Sequence, residues 1–287
     1  MPQTPPVIAL LYDFDKTLCT KDMQEYSFIP SINMKPENFW VESTELARLN
    51  KMDSVLAYMY LMLDKSKQAK KPVHRKDIVN LGESLEFHAG VETWFDRFKL
   101  RAGEMDINIE HYVISSGLRE IIEGCGIYGK FRDVFACEFF YDENDVACWP
   151  KNVVNYTTKT QFLFRINKGV LDLSEDAELN RFTPEENRPV PFRNMIYIGD
   201  GLTDVPCMRL VKTNGGFSVA VFNQNDNRAV ADGLLSDSRV NFTARADYNE
   251  GGELDVIVWD IVKKIAITDS LIKKTQRQTE QIKKQEF

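Results

Sequence analysis

Five short apolar runs constrain the fold of this 287-residue chain more than any other feature. They are VIALLY (7–12), HYVISS (111–116), VFACEFF (134–140), NMIYIG (194–199) and GFSVAVF (216–222). None shows the apolar–polar alternation of a strand with one wet face. Continuous runs mark strands covered on both faces, as in a parallel sheet with helices on each side. Helical patterns separate several of them. GLREIIEGCGI follows Ser116 and is ended by glycine. LTDVPCMRLVKTNGG follows Gly201, with Thr203 or Asp204 placed to cap it, Pro206 in its first turn and Gly215-Gly216 at its end. The alternation predicts an α/β fold built on a doubly wound, Rossmann-like parallel sheet.

Residues 21–88 interrupt this pattern, with helical stretches at about 37–50 and 53–70, the second opened by Asp53 and Ser54. Tyr58, Met59, Met62 and Leu63 make that second stretch apolar nearly all round, which predicts a buried helix. The expected organisation is an α/β core of residues 1–20 and 89–265, a helical cap of residues 21–88 inserted after the first strand, and a polar C-terminal tail of 266–287. LEFHAGVETWFDRFK (85–99) returns the chain to the core, with Trp94, Phe95 and Phe98 at helical spacing. A further insertion, roughly 141–193, carries Pro, Asn and charge and reads as a surface loop or flap. The tail reads as a solvated helix or frayed terminus.

Bulk properties exclude several functions. The net charge of −7 does not attract nucleic acid or an anionic membrane. The longest strongly apolar run outside the strands, VLAYMYLML (55–63), falls far short of the roughly 20 residues that span a bilayer. MPQTPPVIAL lacks a basic segment and a small-residue cleavage site, so no signal peptide is expected. Cysteines at 19, 125, 137, 148 and 207 form no C-x-x-C, and the histidines at 74, 88 and 111 are scattered. The expectation is free thiols in a reducing cytoplasm, with Cys19 in a packing role and no zinc site.

The chemistry gathers where the runs end. Asp13 closes the first run and Asp15 follows it. Two carboxylates about 4 Å apart cost roughly 4 kcal/mol at an effective dielectric near 20, so a proton, a cation or solvent must compensate. Parallel sheets bind ligands at the carboxyl ends of their strands. Those ends supply Asp13 and Asp15, then Ser115 and Ser116, then Asp200 and Asp204. Lys159, in YTTKTQFLF, lies after the third run. Acids, one lysine and hydroxyls suit Mg2+ and phosphate, because Mg2+ takes hard oxygens. Lys159 and the N–H groups after Ser116 would orient the phosphate. Taken singly, Asp200 and Asp204 read as helix caps, Ser115 or Ser116 as an N-cap, and Lys159 as a surface lysine with Lys168 as its rival.

In combination the motifs resemble a known family. DFDKT (13–17) resembles the first motif, D-x-D-x-T, of the haloacid dehalogenase-like (HAD) superfamily. VISSG (113–117) is similar to its second, IGDGLTD (198–204) to its fourth, and Lys159 is the candidate for its lone lysine. The resemblance implies that Asp13 attacks phosphorus and that Asp15 acts as acid and then base. It implies that Asp13, Asp200 and the Asp15 main-chain carbonyl hold Mg2+, and that Asp204 holds a metal-bound water or orients Lys159. Thr17, Ser115, Ser116 and Gly117 would serve the phosphate. DKT also resembles the phosphorylated motif of ion-pumping ATPases, but this chain continues Leu-Cys rather than Gly-Thr, which places the nucleophile at Asp13.

A helical insertion after the first motif resembles the family's lid and implies a small phosphorylated metabolite as substrate. The branch most resembled is that of the phosphoserine phosphatases. SSGL (115–118) departs from their S-G-G-F, Asp22 stands where they carry a glutamate, and GDGLTD replaces G-D-G-x-N-D. The activity implied is a Mg2+-dependent phosphatase acting through an aspartyl-phosphate. A phosphotransferase on the same site and a non-catalytic metabolite-binding module are the alternatives, and the oligomeric state is left open.

Overall fold

The five runs form neighbouring strands. The computed structural model describes residues 5–223 and 227–285. The chain starts with β1 (Val7–Tyr12) and then leaves the sheet through α1 (Phe28–Ser31), α2 (Pro36–Asn50), α3 (Ser54–Gln68) and α4 (Arg75–Asn80). It returns along α5 (Val91–Gly103), β2 (Asn108–Leu118), α6 (Arg119–Glu123), β3 (Asp133–Tyr141) and β4 (Ala147–Asn152). There follow α7 (Lys159–Lys168), α8 (Asp176–Asn180), β5 (Met195–Gly199), α9 (Val205–Thr213), β6 (Phe217–Phe222), α10 (Arg228–Ser236), β7 (Phe242–Arg245) and α11 (Glu253–Gln285).

The sheet order is β4-β3-β2-β1-β5-β6-β7, with helices on both sides. Every pairing is parallel except β3 with β4. β1 lies between β2 and β5, and Tyr12 stands opposite both Val113 and Ile198. That register brings Asp13, the two serines and Asp200 to one edge of the sheet. Ile8 to Tyr12 are fully buried, as a strand covered on both faces requires. Trp94, Phe95 and Phe98 of α5 are buried too, and Arg97 and Arg101 reach Asp255 at the start of α11 at 3.0 and 3.1 Å. α11 buries Leu254, Val258, Ile261, Val262 and Ile265, and Asp269 still accepts from Asn194 Nδ2 at 2.9 Å, while Ile267 and Leu271 are exposed. Among the described residues, no helix is long and apolar enough to cross a membrane.

The helical insertion leaves and rejoins the core through two adjacent chain segments. Thr20 N donates to Glu86 O at 2.9 Å and His88 N to Leu18 O at 3.0 Å. Asp53 caps α3, accepting from Val55 N at 2.9 Å and Leu56 N at 3.1 Å. Such a cap stabilises a helix by about 1 kcal/mol.

Two expectations need correction. Residues 141–193 are not a loop or flap throughout: β4 pairs with β3, and α7 buries Phe162, Leu163 and Ile166. The loop-like composition belongs to the segment after Gly169, and α7, at ten residues, is too short to announce its period. The second correction concerns Ser115 and Ser116. β2 runs past both to Leu118, so they are strand residues and cap no helix.

Candidate active site

β1 ends because the chain turns sharply after Asp13. Asp13 N donates to Ile198 O at 2.9 Å, which carries the β1–β5 pairing one residue further. The Phe14 carbonyl then accepts from the N–H groups of Thr17, Leu18 and Cys19, and Lys16 takes a left-handed backbone with φ 55°. This turn points Asp13 and Asp15 in different directions. Asp13 meets Lys159, whereas Asp15 Oδ1 accepts from Met23 N at 2.8 Å at the start of the insertion. Cys19 is fully buried against Asp15 and the Phe14 carbonyl, in a packing position.

Lys159 is the first residue of α7 and is 1% exposed. Its Nζ donates to Asp13 Oδ1 and to Asp204 Oδ1, both at 2.7 Å. Burial works against the ammonium, but the charges of Asp13 and Asp204 outweigh it and raise its pKa. Lys168, the rival, lies one helix length away, with Nζ on the carbonyls of Leu179 and Arg181 at 2.5 and 2.7 Å. It fastens the loop after α7 and takes no part in the acid cluster.

Asp200 and Asp204 follow β5. Asp204 stands at the N-cap position of α9, but its side chain makes no capping bond. Its carboxylate is turned instead to Lys159 and to the Tyr197 hydroxyl, which donates to Oδ1 at 2.7 Å. Gly199 makes room for this: a Cβ there would fall 2.5 Å from Asp204 Oδ2. Oxygen atoms of Asp13, Asp200 and Asp204 lie within 4.8 Å of one another. Burial, then the charge of Asp204, pushes Asp13 up to about 7 against the pull of Lys159, and burial, then Asp13 and Asp204, pushes Asp200 up to about 8 against Lys16 and Lys159. Burial, then Asp22 and Asp13, holds Asp15 well above the usual carboxylate range. Crowded acids of this kind suit a hard cation, and Asp204 Oδ2 is buried with no hydrogen-bond partner.

The cluster opens on a cavity of about 490 Å³, between the sheet edge and the insertion. Asp13, Asp15, Ser116, Lys159 and Asp200 line it, whereas Thr17, Ser115, Gly117 and Asp204 lie behind its wall. Ser115 Oγ accepts from Gly117 N at 3.0 Å, so that N–H is engaged within the protein and not held ready for a phosphate. A Cβ on Gly117 would meet the Met23 thioether and come within 2.9 Å of Asp15 Oδ2. Among the described residues, Thr17 Oγ1 and Ser116 Oγ are buried without partners. Lys16 pairs with Asp22 at 2.5 Å across the mouth of the insertion.

Sequence reasoning missed Tyr197 and Tyr58. Tyr197 carries a hydroxyl in an otherwise apolar strand, a signal that could have been read as a buried polar group needing a partner. Tyr58, expected as plain core, donates to Ser116 O at 2.7 Å and lines the cavity.

The family model of haloacid dehalogenase-like hydrolases matches residues 10–209. An uncharacterised protein of Borreliella burgdorferi is 29% identical over 277 residues, covering 86% of this chain and 94% of that protein. A HAD family hydrolase from Salmonella enterica serovar Typhi superposes with a TM-score of 0.56 at 16% identity, over 90% of this chain and 72% of that one. A substrate-bound phosphoserine phosphatase superposes with a TM-score of 0.54 at 13% identity, over 82% of this chain and 91% of that one. The strand-tip acids, the lysine and the sheet order thus sit within a match spanning most of the chain, and the chain belongs to the haloacid dehalogenase-like hydrolase family.

Proposed function

We propose that the protein is a Mg2+-dependent phosphatase that hydrolyses a small phosphorylated metabolite through an aspartyl-phosphate. The observation that carries this reading is the Lys159 ammonium held at 2.7 Å from both Asp13 and Asp204, beside Asp200. With Lys159 on Oδ1, Asp13 keeps Oδ2 for phosphorus. As the bond from Asp13 to phosphorus forms, the bond from phosphorus to the alcohol oxygen breaks, and Asp15 gives that oxygen its proton. Asp15 suits the part because burial and its acidic neighbours favour its protonated form, and Met23 N fixes one of its oxygens. A water then gives its proton to Asp15 and attacks phosphorus, and Asp13 leaves as a carboxylate.

Ser116 Oγ, unpartnered at the cavity wall, takes a phosphoryl oxygen. Thr17, Ser115 and Gly117 brace the wall from behind, and Asp204 orients Lys159. Asp13, Asp200 and the Asp15 main-chain carbonyl would hold Mg2+, with Asp204 as the third acid of the cluster. Bound there, the ion supplies positive charge that offsets the acids and the phosphate dianion. Residues 21–88 act as a cap that excludes water from the core on either side of it in sequence, and the polar tail that starts at residue 266 stays fastened to that core at Asp269.

The test is phosphate release from p-nitrophenyl phosphate with Mg2+. Asp13→Asn lowers it about a thousandfold or more, and a chelator abolishes it in the unaltered protein. Unchanged turnover in either case refutes the assignment.

A further inference from the structure

The insertion's side of the cavity carries almost no charge. Among the described residues lining the cavity, the cations are Lys16 and Lys159, and each already faces a carboxylate. The insertion contributes one charge, Asp22, which is negative. The rest of its lining is neutral, with Ala47 and Val55 aliphatic and Ser54 a hydroxyl. Trp40 and Tyr58 are aromatic, and Ser43, Thr44 and Gln24 are polar.

The polar group of most interest is Gln24. It is 2% exposed, lines the cavity, and its Oε1 has no hydrogen-bond partner. A buried carboxamide oxygen left without a donor is unfavourable, so a ligand that donates to it gains affinity. Trp40 is held as a fixed plate beside it. Its Nε1 donates to Glu25 at 2.7 Å, and Phe39 and Tyr58 meet its ring edge-on at 5.2 and 6.1 Å. The volume lies in the range of small-molecule sites, roughly 300–1,000 Å³.

We propose that Gln24 and Trp40 select the leaving group, and that the substrate is the phosphate ester of an uncharged, hydroxyl-bearing ring. This rests on the phosphatase reading above. The ring lies on Trp40, and one of its hydroxyls bonds the Gln24 carboxamide. A leaving group with a carboxylate, such as the serine of phosphoserine, finds no unpaired cation among the described residues of this wall, since Lys16 is already held by Asp22. Burying a carboxylate without a partner costs more than the remaining contacts return. A sugar phosphate and a nucleoside monophosphate share the chemistry required.

The experiment measures kcat/KM, with Mg2+, for acetyl phosphate, glucose 6-phosphate, uridine 5′-monophosphate and phosphoserine. Acetyl phosphate carries no ring or hydroxyl and reports on the chemistry alone. The expected result is that a ring ester exceeds phosphoserine by about tenfold or more, and which of the two ring esters leads identifies the source. Gln24→Leu lowers the ratio of ring ester to acetyl phosphate about tenfold. Thr44→Arg, at an exposed position on the same wall, lowers the ratio of ring ester to phosphoserine, and serves if the buried variant fails to fold. A preference for phosphoserine, or ratios that neither variant moves, overturns the proposal while the phosphatase reading stands. Failure to turn over any of the four, acetyl phosphate included, overturns both.

Discussion

The two walls of the cavity are held by different forces. On the sheet side, Lys159 lies between Asp13 and Asp204, Tyr197 backs Asp204, and the acids push each other toward protonation. On the insertion side, Trp40 packs edge-on against Phe39 and Tyr58, and hydroxyl groups fill the gaps. The first wall is unfavourable by itself and becomes favourable with a cation and a phosphate. The second wall is held by ring packing and leaves one buried polar atom, Gln24 Oε1, for a ligand to complete. A substitution on the charged wall therefore changes chemistry and stability together, whereas one on the neutral wall changes selectivity.

Lys159→Met is expected to break this contrast most sharply. It leaves Asp13 and Asp204 buried without their cation, so phosphate release is lost and stability falls by about 3–5 kcal/mol. Urea unfolding reads the second effect, and an unaltered midpoint would show that the lysine does not hold the wall together. Gly199→Ala comes next. Its Cβ would lie 2.5 Å from Asp204 Oδ2, so the carboxylate must move off Lys159. Misplacement of this order lowers kcat about a hundredfold, with little change in KM. Wild-type kcat in this variant would mean that Asp204 has no part in placing the lysine.

The smallest effect is one of pH. Asp13 and Asp200 titrate near 7 and 8 in the fold, against about 4 in the unfolded chain. Between about pH 4 and 8 the metal-free fold holds protons that the unfolded chain has released, so stability falls as pH rises through that window. Mg2+ takes the place of those protons. The stabilisation it gives, read as the shift in thermal midpoint, is expected to grow from about pH 5 to pH 8. A shift independent of pH would separate the ion from these two acids.

The acids were legible because their sequence neighbours are so constrained. Asp13 ends a run buried on both faces, and Asp200 sits in a Gly-Asp-Gly turn, so strand order alone brings them together. Lys159 was harder. It opens a helix after an antiparallel strand, in a segment whose later prolines and charges suggested a loop, and only the folded path brings it to Asp13, 146 positions earlier. The serines misled in a different way, since helix-like residues after Ser116 concealed a strand that runs to Leu118. Gln24 and Trp40 carried no readable signal. A neutral cavity wall has no spacing rule, because its residues are chosen by the shape they enclose.

Asp53 does two jobs with one carboxylate. Oδ1 caps α3, and Oδ2 accepts from Asn155 Nδ2 at 2.8 Å, in the turn just ahead of α7. The insertion and the lysine-bearing helix are therefore tethered at a point distant from the neck between residues 18–20 and 86–88. A swing of the insertion large enough to admit a substrate must either unfasten this tether or draw the start of α7 along with it. One carboxylate thus links the start of α3 to the turn that leads into Lys159.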